Sequence, residues 1–499
     1  MNLLQLFRSE GYPLYVLCVL LVTYLLDQLD RYILATTSAP MAQDIHFGEK
    51  GCLDNNAVIF LGNITCKGLV SEDSCTNLTN PNGTRYCLWD YNGSGVQYQI
   101  LVGPAFTVVY TITGVVLGFI ADIWSRKYIL VVCLMFWSGA TILTGFAQEY
   151  WHVVLLRFAL GMGEAGCIPF AASIIADYFS EETRGSAMGF FNWGIYVGYS
   201  LAYAIGNYVT KANINGQGWR WAYFISGIPG FPLGLLILLT VKEPERRETA
   251  KEIKDSKSYD PSPLRRLMTI LRSILNPSLM MLIIAGSVRN AAGYIWSNNT
   301  QLFFDHYYKD SQVGLWMSWV PLFSGCFGVL FGGFISDRVV KRVGPQGRIW
   351  VLVLSQLCAA PFATMALYLE PPYAFLALIP SYIIGEMWVG VTLAVVVELV
   401  PSYIRTSIVA VYLFISTNIG GNSPLLVPPL KRATSLRTAL TILFPGLYVA
   451  GSLLFVLTLL VLRRDLKKVQ QEEEKMQLLL NEGEGPVPEQ SGKSYGAQR

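Results

Sequence analysis

Gly118–Lys127 reads GFIADIWSRK: an apolar run that ends in an aspartate and then a basic pair. Gly333–Arg342 reads GFISDRVVKR and repeats the pattern in the second half of the chain. Two further echoes lie at nearly the same offset. FALGMGEAG around Glu164 matches YIIGEMWVG around Glu386, and the pair Asp177/Arg184 matches Glu398/Arg405. A repeat across half a chain is an architectural signal, here the duplication of one unit. The joint is the polar segment 242–276, rich in Lys, Glu, Ser and Pro, where PLRRLMTILRSIL reads as an amphipathic helix on a membrane surface.

The chain has 499 residues, 53% hydrophobic and 14% charged, with a mean hydropathy of +0.41. Soluble domains carry roughly 25% charged residues, so the charges here are too few to cover a globule of this size. The apolar residues fall in runs of about 20, the length that crosses a bilayer as a helix. Lipid cannot satisfy open backbone groups, and the runs do not alternate as barrel strands would. Twelve spans are expected, near residues 13–37, 98–121, 128–147, 152–178, 185–208, 220–241, 278–303, 312–336, 348–368, 373–399, 405–429 and 437–462. The seventh and eleventh are polar and glycine-rich in places. The start lacks a small-residue cleavage site, so the first span is expected to stay rather than act as a cleaved signal. The expected division is an N-terminal six-helix half (1–241), the linker 242–276, a C-terminal half (277–462) and a disordered tail (463–499).

Basic residues in short loops set the orientation. Arg126 and Lys127, Arg184, the linker, Arg338 to Arg348 and Arg463 to Lys468 share one side, with both termini. That side is expected to be cytoplasmic; Lys431, Arg432 and Arg437 are the exception. The opposite side has its own marker. The first loop, about 42–97, carries four glycosylation sequons, at Asn63, Asn77, Asn82 and Asn92. It also holds Cys52, Cys66, Cys75 and Cys87. Four cysteines in an oxidising compartment suggest two disulfides, with three connectivities open. The net charge of +3 gives no reason to expect a nucleic-acid partner. The three histidines are scattered, and no Cys-x-x-Cys or glycine-rich phosphate loop occurs. No enzyme, metal or cofactor is therefore expected.

The two Gly-x-x-x-Asp segments resemble the hallmark of the major facilitator superfamily. Gly333, Asp337, Arg338, Lys341 and Arg342 carry it closely; Gly118, Asp122, Arg126 and Lys127 carry it with Ile123 in place of the first basic residue. The resemblance implies an all-α membrane protein of two pseudo-symmetric six-helix halves. Gly118 and Gly333 would let helices approach closely. Asp122 and Asp337, with Asp177/Arg184 and Glu398/Arg405, read as latches between the halves. YLLDQLDRYILA with Asp30-Arg31, the stretch RFALGMGEAGCIPFAASIIADYFSEETRG and GGNSPLLV (Gly420–Val427) resemble the spinster family more closely, with Asp27 where that family often has Asn and Asn422 where it has an acid.

Ionisable residues within spans are costly and mark function. Asp27, Asp30 and Arg31 lie in span one, Arg157 and Glu164 in span four, Arg289 in span seven and Glu386 in span ten. In the fold that the resemblance implies, these four spans line the central cavity. A cluster of Asp30, Arg31 and Glu164 is expected there, and the resemblance implies a part for it in proton coupling and gating. Arg157 and Glu164 are two turns apart on one helix face. Arg289 is a candidate anchor for an anionic substrate group. Further cavity candidates are Tyr294, Trp296, Asn298, Trp193, Tyr196, Trp388, Asn418 and Asn422. In the tail, Glu474, Leu478 and Leu479 form an acidic dileucine pattern of the kind a clathrin adaptor reads, which suggests a lysosomal address over the plasma membrane. The spinster resemblance implies a proton-driven lysosomal exporter of lysophospholipid or sphingoid lipid, working as a monomer. The alternatives are a proton-coupled carrier of small organic anions or other water-soluble metabolites, and a non-transporting receptor.

Overall fold

The computed structural model describes residues 11–54, 66, 71–79, 85–244, 273, 275–308, 311–400 and 405–483. Twelve long helical segments cross it. The first runs Gly11–Ile45 unbroken. The second is Gly95–Val102 and Pro104–Ile123; the third is Arg126–Thr144; the fourth is Tyr150–Glu164 and Cys167–Tyr178. The fifth is Glu181–Ala212, and the sixth is Trp219–Gly227 and Gly230–Thr240. The second half repeats the series. The seventh is Pro277–Tyr307, the eighth Val313–Met317 and Val320–Val343, the ninth Gln346–Tyr368, and the tenth Tyr373–Gly385 and Trp388–Glu398. The eleventh runs Arg405–Asn422 and on to Ala433, and the twelfth is Leu436–Leu443 and Pro445–Gly483. Ten of these segments are long and apolar enough to cross a membrane; the fifth and the eleventh fall short. Span seven, polar by sequence, passes because its polar groups are interspersed along a 31-residue helix.

Each half packs around its own apolar core. Leu17, Leu20, Leu130, Trp137 and Phe191 anchor the first; Phe303, Phe304 and Phe375, then Leu282, Leu352 and Phe455, anchor the second. Across the halves, span one meets seven, two meets eleven and five meets eight. This pairing leaves a central cavity.

Three hydrogen bonds between the halves gather toward one end. Tyr98 donates to the Asn298 carbonyl at 2.5 Å, Gln99 to Asn299 at 2.8 Å and Asn207 to Gln301 at 3.1 Å. All three lie toward the loop between spans one and two. At the opposite end, where spans two, five and eight finish or begin, Gly118, Gly185, Gly189 and Gly333 face open space: an added Cβ would meet nothing within 4 Å. The cavity is therefore closed on the loop side by bonds between the halves.

Two expectations are corrected here. Gly118 and Gly333 do not bring helices together. The close approaches fall elsewhere on the same faces: Gly332 and Gly328 abut the backbone of span ten, and Gly161 that of span two. One residue turns a helix by about 100°, so Gly333 points away while Gly332 points in. The tail is helical as far as Gly483 rather than unstructured from 463. Asp465 in that extension is buried and accepts the Ser278 hydroxyl at 2.7 Å and its backbone N–H at 3.2 Å, capping span seven. The expected amphipathic helix in the linker lies almost wholly outside the described residues.

The loop between spans one and two carries a hairpin, strands β1 (Lys50–Asp54) and β2 (Cys87–Tyr91). The disulfides are Cys52–Cys75 and Cys66–Cys87, which closes the choice among three connectivities. Asn77 and Asn92 are described, and Asn92 accepts from the Ser94 of its own sequon. Asn63 and Asn82 lie outside the described residues.

Candidate functional site

The central cavity encloses about 270 Å³ between the halves. Its walls are mainly aromatic: Tyr24, Tyr32, Tyr110, Tyr196, Tyr199, Tyr294, Trp296, Tyr382, Trp388 and Tyr448 among them, with Ile168, Ile195, Leu393 and Leu413 between. Two cations reach it, Arg31 from the first half and Arg289 from the second.

Arg31 is held by two acids. Its Nε and one terminal nitrogen donate to the same Glu164 oxygen at 3.1 and 2.9 Å, and that nitrogen reaches Asp27 at 3.3 Å. Asp27 lies one turn before Arg31 on the same helix face, so span one presents both together. Gln28 donates to Asp27 at 2.6 Å. Both acids have buried side chains, and each keeps one oxygen without a hydrogen-bond partner. The guanidinium packs over Phe106 and Tyr110 at 4.8 and 5.0 Å.

Asp30 is not part of this cluster. It points the other way, into the first half, where Thr141, Ser226 and Arg157 surround it. It is 1% exposed and makes no hydrogen bond of normal geometry. Neighbours in a helix are about 100° apart, so Asp30 and Arg31 cannot share a face. Arg157 does not reach Glu164 either; it donates to the Arg31 carbonyl at 3.3 Å.

The second half has a counterpart. Arg289 is 1% exposed, donates to Glu386 at 3.2 Å and to the Gly385 carbonyl at 2.9 Å, and bonds Gln356. Tyr448 and Trp388 pack on it at 4.2 and 5.1 Å. Spans four and ten both break at their acidic residue: the first helix of span four ends on Glu164, and Glu386 lies in the break between Gly385 and Trp388. Broken helices within a membrane are tolerated where they line a cavity or are buried in protein.

Of the remaining cavity candidates, Tyr196, Tyr294, Trp296 and Trp388 line the space. Trp193 packs beside Phe190. Asn298 sits in the loop-side closure. Asn418 accepts from Thr111 at 3.2 Å across the halves, and Asn422 donates to the Asn418 carbonyl at 2.8 Å. Sequence reading missed Gln28, Gln356 and Tyr448. Uncharged residues in a span carry no signal of their own.

Arg126, Asp177, Asp337 and Glu398, expected as latches between the halves, form ion pairs within their own halves and with other partners than expected. Arg126 meets Asp177 at 2.5 Å and Glu243 at 2.9 Å. Arg348, outside the expected set, meets Asp337 at 3.1 Å and Glu398 at 2.7 Å. Arg184 donates to the Ala176 carbonyl at 2.9 Å. Lys127 bonds Glu243 through its backbone N–H. Glu243 is held below the ordinary glutamate range: burial acts against this, and the Lys127 N–H, Ser125 and Arg126 outweigh it. Arg338 packs on its own helix's Phe334, while Lys341 and Arg342 are exposed in the last turn of span eight. The side chains of Asp122, Arg405, Glu474, Leu478 and Leu479 lie outside the described residues.

Comparison with known proteins agrees with this geometry. The family profile described as Major Facilitator Superfamily matches residues 20–422. An MFS-type efflux pump of Mycolicibacterium smegmatis is 26% identical over 389 residues, which are 76% of this chain and 87% of that protein. Protein spinster homolog 1 of Xenopus laevis is 26% identical over 406 residues, 74% of this chain and 75% of its own. Among solved structures, a bacterial homologue of the human lysosomal transporter Spinster, inward-facing and unoccupied, superposes with a TM-score of 0.65. It is 20% identical and covers 93% of this chain and 98% of its own.

Proposed function

The chain belongs to the major facilitator superfamily, and we propose that it is a proton-coupled exporter of a single-chain lipid of the lysophospholipid or sphingoid class. It works by alternating access between its halves, carrying its load from the loop side to the side of the termini. The observation that carries this reading is Arg31, held between Asp27 and Glu164 at the wall of the cavity.

The chemistry follows from charge balance. With both acids ionised, Arg31 is pinned in a cluster of one cation and two anions, whose net negative charge repels an anion. A proton on either removes a counter-charge and frees the guanidinium to take an anion. Loss of that proton on the other side returns Arg31 to its acids and expels the anion. The aromatic and aliphatic walls suit the apolar part of an amphiphile. Arg289 is fully engaged by Glu386, Gln356 and Gly385 and serves the second half as a fixed pair in this state.

The address belongs to the same proposal. The loop with its sequons and disulfides faces the lumen of the lysosome, and the termini face the cytoplasm. The dileucine pattern at Glu474, Leu478 and Leu479 meets a clathrin adaptor, and the transporter acts as a monomer without a cofactor. The plasma membrane is the alternative location.

The test is uptake of labelled lysophosphatidylcholine by cells that carry the Leu478→Ala/Leu479→Ala variant at their surface. External pH is set at about 5.5 and about 7.5, and Glu164→Gln is run beside the parent. Acid-stimulated uptake that vanishes in Glu164→Gln supports the reading. With the protein confirmed at the surface, absence of lipid uptake turns the assignment to a small organic anion, for which the nine cavity tyrosines supply hydroxyl donors.

A further inference from the structure

A second chamber, of about 570 Å³, lies on the loop side, beyond the Gln99–Asn299 and Tyr98–Asn298 bonds that close the central cavity. Its walls come from the end of span one, the β1–β2 hairpin, the start of span two, the end of span seven and span eleven.

The charges in it are unevenly answered. Lys431 at the wall is taken by Glu49 at 2.5 Å. Among the described residues, Asp305 accepts from the Gln301 amide at 3.0 and 2.9 Å, and Lys211 acts on it through charge. Asp90, from the hairpin, accepts from Gln43. His306 completes the ionisable set in the lining.

Gln99 points to what is missing. It is 1% exposed, and its Oε1 has no partner. Its amide cannot simply be turned round. Asn299 spends its own Nδ2 on the Ile295 carbonyl at 2.8 Å, so its Oδ1 needs a donor, and Gln99 Nε2 is that donor. Gln99 Oε1 is thereby fixed as an acceptor. A buried acceptor without a partner is costly, by about 1–3 kcal/mol. The chamber thus offers a fixed amide oxygen and the Asp305 carboxylate, with its lysine already held by Glu49.

We propose that this chamber is a vestibular binding site for a primary organic ammonium group, which donates to Gln99 Oε1 and the Asp305 carboxylate. A primary ammonium has three donors and no acceptor, which matches this set. A quaternary group would need an aromatic cage, and the lining holds a single tyrosine, Tyr91. The site does not depend on the transport assignment, because it is defined by binding alone.

The experiment is ligand-induced thermal stabilisation of the purified full chain, with n-hexylammonium as the probe. Hexyltrimethylammonium, hexanoate and the chlorides of potassium and calcium are the comparison set. The expected result is saturable stabilisation by n-hexylammonium only. Asp305→Asn, isosteric and uncharged, should weaken binding by about tenfold or more, and Asp305→Glu should retain it. Asp90→Asn, on the hairpin outside the helical core, should weaken it by a smaller factor and serves if Asp305→Asn does not fold. Equal stabilisation by the quaternary ion, or by potassium or calcium, overturns the proposal, as does undiminished binding in both Asn variants. Failure here leaves lipid uptake untouched, and failure of lipid uptake leaves the binding result standing.

Discussion

Tyr196 of span five donates to Glu386 of span ten at 3.2 Å, on the oxygen that Arg289 leaves free. One carboxylate thus joins the two halves at the cavity and holds the cation of its own half. Tyr196 also packs its ring against Gly325 of span eight, where a Cβ has no room. Span five is therefore tied to spans eight and ten at one residue.

Tyr196→Phe removes the cross-half bond and keeps the ring. A net hydrogen bond to a charged group is worth about 1.5–3 kcal/mol. The expected outcome is a shift away from the state closed on the loop side, by about tenfold or more in population. Distances between spin labels placed at Gly185 and Gly333, one in each half and both with room for a side chain, report it; an unchanged distribution would refute the tie.

Arg31→Lys keeps the charge but cannot give the two-nitrogen grip on Glu164. Acid stimulation of transport should fall by about tenfold or more, with residual uptake equal at the two pH values. Asp30→Asn separates the roles. Because Asp30 lies outside the cavity cluster, this variant should change thermal stability more than the ratio of acid to neutral transport.

Glu49 and Lys431 bind the hairpin's approach to span eleven. Burial raises the Glu49 pKa, but the hydrogen bond and charge of Lys431, with Ser94, hold it below its ordinary 4.5. A carboxyl held low contributes fully above its ordinary pKa and loses that contribution only as pH falls through the lowered value. The Glu49–Lys431 pair should therefore be insensitive to pH between about 5 and 8. Lys431→Met should raise loop-side accessibility to a membrane-impermeant thiol reagent at a cysteine placed at Gln301, and should do so equally at all these pH values.

Asp465 caps span seven from the far end of span twelve. Asp465→Ala should cost about 1–2 kcal/mol, read as a lower midpoint of thermal unfolding in detergent. Ser278→Ala should give a smaller loss, and the double variant should fall short of the sum, because both sit in one hydrogen-bonded pair.

The sequence by itself determined the membrane class, the twelve segments and the duplication. These rest on composition and period, which are local properties of the chain. Its buried charges were legible one at a time, since an ionisable residue in an apolar run stands out wherever the helix turns. Their pairing was not. Whether Asp27 or Asp30 meets Arg31 depends on the rotation of span one against span four, and Glu164 answers it by selecting the face that holds Asp27 and Arg31. The partners of Arg289, the loop-side closure and the cap at Asp465 involve residues from distant spans, many of them uncharged. No local pattern encodes such contacts; only the packing of the two halves brings them within hydrogen-bond reach.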